Sequence, residues 1–281
     1  MKTVLYATDL SKHEVYTLRY AYKLSNGLKA NLIVLHIYSV PPVTVATIRS
    51  AKQIKERLNI EKRDTVLNYC VKHLKDESVR DRVEIKVHEH AAVSDGILEK
   101  TRDLNPDLVL VGMKDEHTQR GLFTGNIAKK LMKKVGCALL IVPNTLRFRK
   151  LQTIIYATDF EEADIFAIKK LVELAKPFKA KIRVVHIPTI DEYVGKEQLE
   201  GFEAMVRKKV NYSGIHFHTF LANTIYHGLR AFVELHDADM LVMMERKHEG
   251  PFFKKLFHKD LVKHMESHIS IPLLSFNKAN L

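Results

Sequence analysis

The chain has 281 residues, a length that exceeds a comfortable single core and fits two domains of about 100–150 residues. Hydrophobic residues make up 46% and charged residues 28%, which excludes fibrous and low-complexity classes and fits a globular protein. The start reaches the acidic Asp9 before a signal-peptide core could form. The longest stretch without charge, residues 30–48, contains Pro41 and Pro42, so we expect no membrane span and a cytoplasmic location.

The net charge of +12 is shared unevenly between the two halves. Residues 1–150 hold 27 Lys+Arg against 16 Asp+Glu, whereas residues 151–281 hold 18 against 17. The first half therefore favours anionic partners, such as nucleotide phosphates. The sequence lacks zinc-finger spacing, a basic helix suited to reading bases and an aromatic RNA-binding signature. Nucleic acid is therefore not an expected partner.

The first half alternates short apolar runs with amphipathic segments. Residues 3–7 predict a β-branched strand, Asp9 or Ser11 offers a helix N-cap, and apolar residues from Val15 to Leu24 recur at helical spacing. The further predicted strands are 32–37, 83–87, 108–111 and 139–142, and the further predicted helices are 47–75, 95–102 and 126–134. This alternation indicates a parallel sheet with helices on both faces.

The second half repeats this order at an offset of 150 residues. The phrase YATDLS at 6–11 returns as YATDFE at 156–161, and His36 and His186 occupy the same position. The predicted strands are 153–157, 182–187, 215–220, 240–243 and 273–276, and the predicted helices are 191–210, 223–236 and 259–267. We expect two tandem domains, 1–146 and 151–281, joined by a short basic link that brings them into contact.

In a doubly wound sheet, ligands bind beyond the carboxyl ends of the strands, where the strand order reverses. With the first strand at the centre, Asp9 lies at that crevice, between the ends of neighbouring strands at Ile37 and at Val111-Gly112. The segment GMKDEHTQRGLFTGN, residues 112–126, then leads into a helix. Glycines and free N–H groups at a helix start are suited to binding phosphate.

These features resemble the universal stress protein family in their order and spacing over essentially the whole chain. They are the YATDLS turn, the His36-Ile37 strand end, the 112–126 loop and the ALLIVP strand at 138–143. The resemblance implies two tandem, open, five-stranded parallel sheets of order 3-2-1-4-5, with helices on both faces and a Rossmann-like fold. It further implies pairing through the last strand, here between 139–142 and 273–276 within one chain, with a homodimer as a further option.

Many members of this family bind ATP through a loop of the form Gly, two residues, Gly, nine residues, Gly, then Ser or Thr. The resemblance implies that Asp9 lies near the ribose and phosphates, that the Ile37 backbone borders adenine, and that Val111 and Gly112 line base and sugar. Gly125, Asn126 and Ile127 would then meet the phosphates. The expected ligand is ATP or another adenine nucleotide, with or without Mg²⁺, and the full set of candidate nucleotide-binding residues is Ala7, Thr8, Asp9, Ile37, Val111, Gly112, Asp115, Gly125, Asn126 and Ile127.

Two positions of the first loop depart from the family pattern. Asn126 replaces Ser or Thr and can still donate a hydrogen bond. Asp115 replaces the second glycine and places a carboxylate beside the polyanionic phosphates. Lys114, Arg120 or a divalent cation would have to offset the resulting repulsion. Asp115 is equally compatible with weakened or lost triphosphate binding.

The second loop departs further from the pattern. Met244 stands at the place of Gly112, Lys247 at that of Asp115, and Lys259 at that of Gly125, so that Gly250 is the one glycine left. Asp159 is retained, but the predicted role of this second copy is structural, with Asp159 capping a helix. For Asp9, capping alone is an equal alternative to ligand contact.

Other chemistry-bearing residues have plainer interpretations. His36 and His186 lie on apolar strands and are read as satisfied core histidines. Cys70 and Cys137 have no paired spacing, so we expect no disulfide, metal or nucleophile there. Two histidine pairs have metal-like spacing but lack further ligands, so no metal site is predicted; they are His216 with His218 and His264 with His268.

Three functions stay open at this stage. The leading hypothesis is a stress-response regulator that binds an adenine nucleotide in its N-terminal domain. The alternative is a scaffold or interaction module in which both sites have degenerated. An enzyme with slow ATP hydrolysis or nucleotidyl transfer is a third hypothesis, but no persuasive catalytic pair, P-loop or nucleotidyl-transferase motif is present, and no catalytic residue is assigned.

Overall fold

A computed structural model of the chain describes residues 1–40, 51–76, 78–113, 125–188, 196–245 and 271–277. The first half alternates strands and helices as expected. Its strands are β1 (Thr3–Ala7), β2 (Asn31–Tyr38), β3 (Val83–Glu89), β4 (Leu108–Met113) and β5 (Ala138–Pro143). Its helices are α1 (Val15–Leu28), α2 (Ala51–Leu74), the short α3 (Val79–Arg82), α4 (Val93–Leu104) and α5 (Gly125–Lys134).

The second half follows the same order. Its strands are β6 (Thr153–Ala157), β7 (Lys181–His186), β8 (Ile215–Thr219), β9 (Met240–Glu245) and β10 (Leu273–Asn277). Its helices are α6 (Glu162–Ala175), α7 (Lys196–Lys209) and α8 (Ile225–Leu235), with one 3₁₀ turn before α1 and another after α6. The helix predicted over 259–267 and the first residues of two further predicted helices lie outside the described residues.

The ten strands form one sheet in the order β3-β2-β1-β4-β5-β10-β9-β6-β7-β8. Each half is parallel within itself and has the expected order 3-2-1-4-5. The sequence predicted two sheets, whereas the structure has one sheet that runs through both halves. The physical reason is that β5 and β10 leave unpaired N–H and C=O groups at the edge of each half, and they satisfy these groups against each other.

β5 and β10 run antiparallel, with Leu273 opposite Ile141 and Leu274 opposite Leu140. Further contacts connect the halves beside this pair. The Asn277 side-chain amide donates to the carbonyl oxygens of Met132 (3.3 Å) and Lys133 (3.0 Å) at the end of α5. The last carbonyl groups of a helix have no partner within the helix, and here two of them accept hydrogen bonds from a side chain of the other half.

The core lies in two layers, one on each face of the sheet. Successive side chains of a strand point to opposite faces, so that Val4 and Tyr6 join one layer while Leu5 and Ala7 join the other. Helices α1, α2, α6 and α7 cover the first face, and α4, α5 and α8 cover the second. Each layer contains residues from both halves, so the hydrophobic core crosses the junction without a break.

Candidate functional site

The two Thr-Asp turns have the same geometry. The Thr8 amide donates to the Leu35 carbonyl (2.9 Å), and the Thr158 amide donates to Val185 in the same way (3.0 Å). Each bond extends the pairing of the central strand (β1 or β6) with its neighbour (β2 or β7) by one residue. Asp9 therefore lies directly beyond the carboxyl end of β1, at the crevice, where it is partly exposed.

Both turns hold a bulky residue in the left-handed region of backbone space. Leu10 and Phe160 each have φ of 62°. Such a conformation costs a residue with a Cβ about 1–2 kcal/mol and is retained only where the surroundings impose it. The hydroxyl of the preceding threonine accepts the amide hydrogen in both turns, from Leu10 to Thr8 (3.1 Å) and from Phe160 to Thr158 (2.9 Å).

A buried carboxylate lies behind each turn, at equivalent positions Glu14 and Asp164, which are 1% and 0% exposed. The Tyr6 hydroxyl donates to Glu14 (2.6 Å) and the Tyr156 hydroxyl donates to Asp164 (2.8 Å). The sequence analysis missed both acids, because an acidic residue in the first turn of a helix is ordinarily an exposed partner of the helix dipole. The available signal was their fixed separation of eight residues from a strand tyrosine.

Of the predicted helix caps, Ser11 does stand at the N-cap position of the 3₁₀ turn before α1, whereas Asp159 is not the cap of α6. The Ser11 side chain makes no capping bond, and Asp9 instead accepts the Ser11 amide (2.8 Å), which closes a turn before the helix begins. In the second half Glu161, and not Asp159, is the N-cap of α6, where it forms a capping box with Asp164. The carboxylates at 9 and 159 therefore belong to the turns and not to the helices.

The structure brings most of the predicted site residues to one edge of the sheet. Ala7 pairs with Val111 on one side and with Leu35 on the other, so β1 is the strand at which the order reverses. Thr8 lies at the end of β1, Ile37 near the end of β2, and Gly112 near the end of β4. The Ile37 side chain is buried under Gly96 of α4, so its backbone is what it can present to a ligand.

The helix after the loop begins at Gly125, and Asn126 and Ile127 lie in its first turn. That turn contains no acidic residue, so the amide end of α5 keeps its positive partial charge. Asp115 lies outside the described residues, as do Lys114 and Arg120. The same holds for Lys247, Gly250 and Lys259 of the second loop.

Gly112 packs against the protein's own polar groups. A Cβ atom at this position would collide with the carboxylate of Glu14 and the side-chain oxygen of Asn144. Met244 occupies the equivalent position and is fully buried, and the acid equivalent to Glu14 in that half is Asp164, which is one methylene shorter. A glycine at 112 therefore has a structural reason that requires no ligand.

His36 and His186 each bond to the carbonyl oxygen of the threonine in the neighbouring turn, at 3.0 Å to Thr8 and 2.8 Å to Thr158. A carbonyl only accepts, so Nδ1 carries the hydrogen in both rings. Each ring thus has a structural hydrogen bond through Nδ1, and His186 is buried whereas His36 is half-buried. Burial, as the largest effect, lowers the pKa of His36 from its ordinary value of 6.5, and the charge of Lys62 lowers it further.

We expect this lowered pKa to make the protein less stable in acid. Between about pH 7.5 and 5.5 the unfolded chain takes up a proton at position 36 before the folded chain does, so stability falls as the pH drops through 6.5. His36→Asn retains a side-chain donor for Thr8 and removes the titration. Its free energy of unfolding should therefore fall less over this range than that of the wild type, measured by urea denaturation. An equal fall in both proteins would contradict the assignment.

His216 and His218 lie on β8 beside Arg183. Arg183 contacts the His218 ring (Nη1 to Nε2, 3.1 Å), and because a guanidinium can only donate, His218 accepts. Within the described part of the chain, no group of three or more His, Cys, Asp or Glu is placed to hold a metal ion. His264 and His268 lie outside it.

Neither cysteine is placed for thiolate chemistry. Burial raises the pKa of Cys70 and of Cys137 to about 12, so both are protonated near neutrality. Both thiols are free. No helix among the described residues is long and apolar enough to cross a membrane.

Comparisons with known proteins agree with this geometry. The model of the universal stress protein family matches residues 1–143. A universal stress protein from Archaeoglobus fulgidus DSM 4304 is 14% identical with a TM-score of 0.66, over 98% of this chain and 96% of that one. The cytoplasmic domain of a prokaryotic cation chloride cotransporter is 7% identical with a TM-score of 0.56, over 100% and 97% of the two chains.

A universal stress protein in complex with cAMP covers 50% of this chain and 96% of its own, at 19% identity and a TM-score of 0.38. That likeness is too low for its ligand to inform this chain. No curated protein sequence matches significantly. The similarity to the Archaeoglobus fulgidus protein and to the cotransporter domain establishes the fold alone, because their identities are 14% and 7%.

Proposed function

Because the chain belongs to the universal stress protein family, we propose that it is a stress-response regulator that binds ATP or a related adenine nucleotide in its first half. The proposed site lies at the carboxyl ends of β1, β2 and β4. It consists of the candidate residues named from the sequence, Ala7 to Asp9, Ile37, Val111, Gly112, Asp115 and Gly125 to Ile127. The two halves would act as domains 1–146 and 151–281, with the second in a structural role.

The observation that carries this proposal is the convergence at the reversal of strand order. Asp9 leaves β1 at the point where β2 and β4 flank it, and α5 begins at Gly125 without an acid in its first turn. Ligands of open α/β sheets bind at such points, and the amides of a helix start attract phosphate. The first half also carries most of the positive charge, which favours association with a polyanion.

We expect saturable binding of labelled ATP below millimolar concentration, with magnesium present, in an equilibrium titration. Asp9→Asn should weaken binding about tenfold, because a charged acceptor for the ribose is lost. Asparagine retains an oxygen that accepts from the Ser11 amide, so the turn itself should persist. Asp159→Asn is the matched control in the second half and should leave affinity unchanged.

The absence of saturable binding would refute the nucleotide proposal. Equal affinity for ATP in Asp9→Asn and the wild type would instead indicate that the nucleotide binds elsewhere on the protein. A phosphate-release assay on the same two proteins separates slow hydrolysis at this site from a contaminating activity, since only the former would depend on Asp9.

A second candidate function is a scaffold without a nucleotide, and the packing around Gly112 favours it. The glycine is accounted for by Glu14 and Asn144, so its presence does not require a ligand at the crevice. A scaffold should unfold at the same temperature with and without millimolar ATP. A nucleotide-binding protein should be stabilised in proportion to the logarithm of ligand concentration.

A further inference from the structure

A basic groove runs along α1 on the first face of the sheet, and its lining includes none of the candidate nucleotide-binding residues. One part, of about 820 Å³, lies between α1 and the end of α2 and is lined by residues that include Arg19, Lys23 and Lys75. A second part, of about 420 Å³, continues past the segment after β5 and is lined by Arg19, Lys23 and Arg147. Arg19 and Lys23 line both parts, and the two parts together are here called the α1 groove.

The α1 groove carries a surplus of uncompensated positive charge. Arg19, Lys23, Lys75 and Arg147 contribute four cations, and none of them forms an ion pair in the part of the chain that the structure describes. One carboxylate, Asp76, lies in the groove. It accepts hydrogen bonds from the Tyr22 hydroxyl (2.6 Å) and from Ser78, so its charge is already partly satisfied.

The length of the groove indicates an extended ligand. Tyr16, Arg19 and Lys23 are three and four residues apart and share one face of α1, where seven residues span about 10 Å. A single phosphate group is much shorter than this row. A polypeptide in extended conformation covers it with about three residues.

The aromatic residues and acceptors of the groove favour a polypeptide over a nucleic acid. Single strands of nucleic acid bind by stacking bases on open aromatic faces. Here the Tyr16 ring is faced by the Arg147 guanidinium at 6.0 Å, and Tyr22 is only 7% exposed. Asp76 and Asn26 offer acceptors that main-chain N–H groups can use and that a phosphodiester backbone, which carries no donor, cannot.

We infer that the α1 groove is a docking surface for an acidic segment of a protein partner. Asp or Glu side chains of that segment pair with Arg19, Lys23 and Arg147, and apolar side chains pack against Phe148 and Leu74 at the two ends. The groove extends from Tyr16 at the start of α1 to Asn26 in its last turn, and none of its lining residues is among the candidate nucleotide-binding residues. The proposed contacts with the partner therefore do not use those residues.

The test is fluorescence polarisation with a labelled peptide of repeated Glu-Asp-Leu triplets, compared with labelled oligo(dT) of similar length. The charge-reversed pair Lys23→Glu/Arg147→Glu should weaken peptide binding about tenfold at low salt. The matched control Arg102→Glu/Lys134→Glu makes the same change in net charge on α4 and α5, which cover the other face. It should leave peptide affinity within about twofold of the wild type.

Three outcomes would overturn the inference. One is a peptide that does not bind the wild type. Another is equal weakening of peptide binding in both variant pairs, which would show attraction to net charge alone. Tighter binding of oligo(dT), lost in the Lys23/Arg147 pair, would make the groove a nucleic-acid site. The exchanged side chains are exposed, so melting temperatures close to the wild type should accompany a valid result.

Discussion

Replacing Asp164 with alanine is expected to lower the free energy of unfolding by about 3–5 kcal/mol, the range for breaking a buried charged network. Its carboxylate accepts from the hydroxyls of Tyr156 (2.8 Å) and Thr158 (2.7 Å) and from the amides of Asp159 (3.3 Å) and Glu161 (3.2 Å). Alanine leaves these donors behind the turn without this acceptor. Because the donors belong to the end of β6, the turn and the start of α6, one side chain holds all three together.

Urea denaturation monitored by circular dichroism measures this effect. Glu162→Ala is the matched control, since this neighbouring acid is exposed and forms an ion pair with Lys209 at the surface, so its loss should cost at most about 0.5 kcal/mol. Asp164→Asn retains one acceptor but brings an amide among donors, and should fall between the two. A loss below about 1 kcal/mol in Asp164→Ala would mean that water or a relaxed turn satisfies these groups.

Gly112→Ala is expected to destabilise the protein by about 2–3 kcal/mol through overpacking next to a buried charge. The added methyl group meets the Glu14 carboxylate and the Asn144 side chain. Asn144 accepts from Thr17 (3.1 Å) and Glu14 accepts from Tyr6, so neither can move without giving up a bond. The loss should be visible without any ligand.

The second half suggests how this loss can be relieved. There the larger Met244 occupies the position of Gly112 and the shorter Asp164 that of Glu14. Glu14→Asp should therefore recover part of the stability lost in Gly112→Ala, and a double-mutant cycle measures that coupling. Gly201→Ala is the control, because a Cβ atom there meets nothing within 4 Å and the site is inside α7. It should raise stability by about 0.5–1 kcal/mol. Independent, additive effects of the changes at 14 and 112 would argue against the proposed contact.

The strands were predictable because their apolar runs leave few alternatives. β1 and β6 have the predicted bounds, and other strand ends differ by one or two residues. The connection of the two halves into one sheet is not encoded in any local pattern, since an apolar strand such as β5 fits an interior position as well as an edge. The apolar runs predict that these strands are buried, whereas the pairing of 139–142 with 273–276 was expected only from the resemblance to the family.

The site was less predictable, because its chemistry depends on contacts between distant positions. In sequence, Asp9 resembles a helix cap. In the structure Leu10 has a left-handed backbone, so Asp9 belongs to a turn instead. Leucine rarely adopts this conformation, so the sequence does not predict it. Glu14 resembles an exposed acid until Tyr6 and Gly112 are placed beside it. The assignment of Asp115 and the loop around it stays a prediction, since these residues lie outside the described part of the chain.

The antiparallel meeting of β5 and β10 has a consequence for any ligand. Every strand of the first half points one way and every strand of the second half points the other, so the Asp9 and Asp159 crevices open at opposite rims of the same sheet. A single small molecule cannot bridge them. A structural change at one crevice would have to reach the other through the shared strands, the two core layers and the side-chain contacts that join the halves.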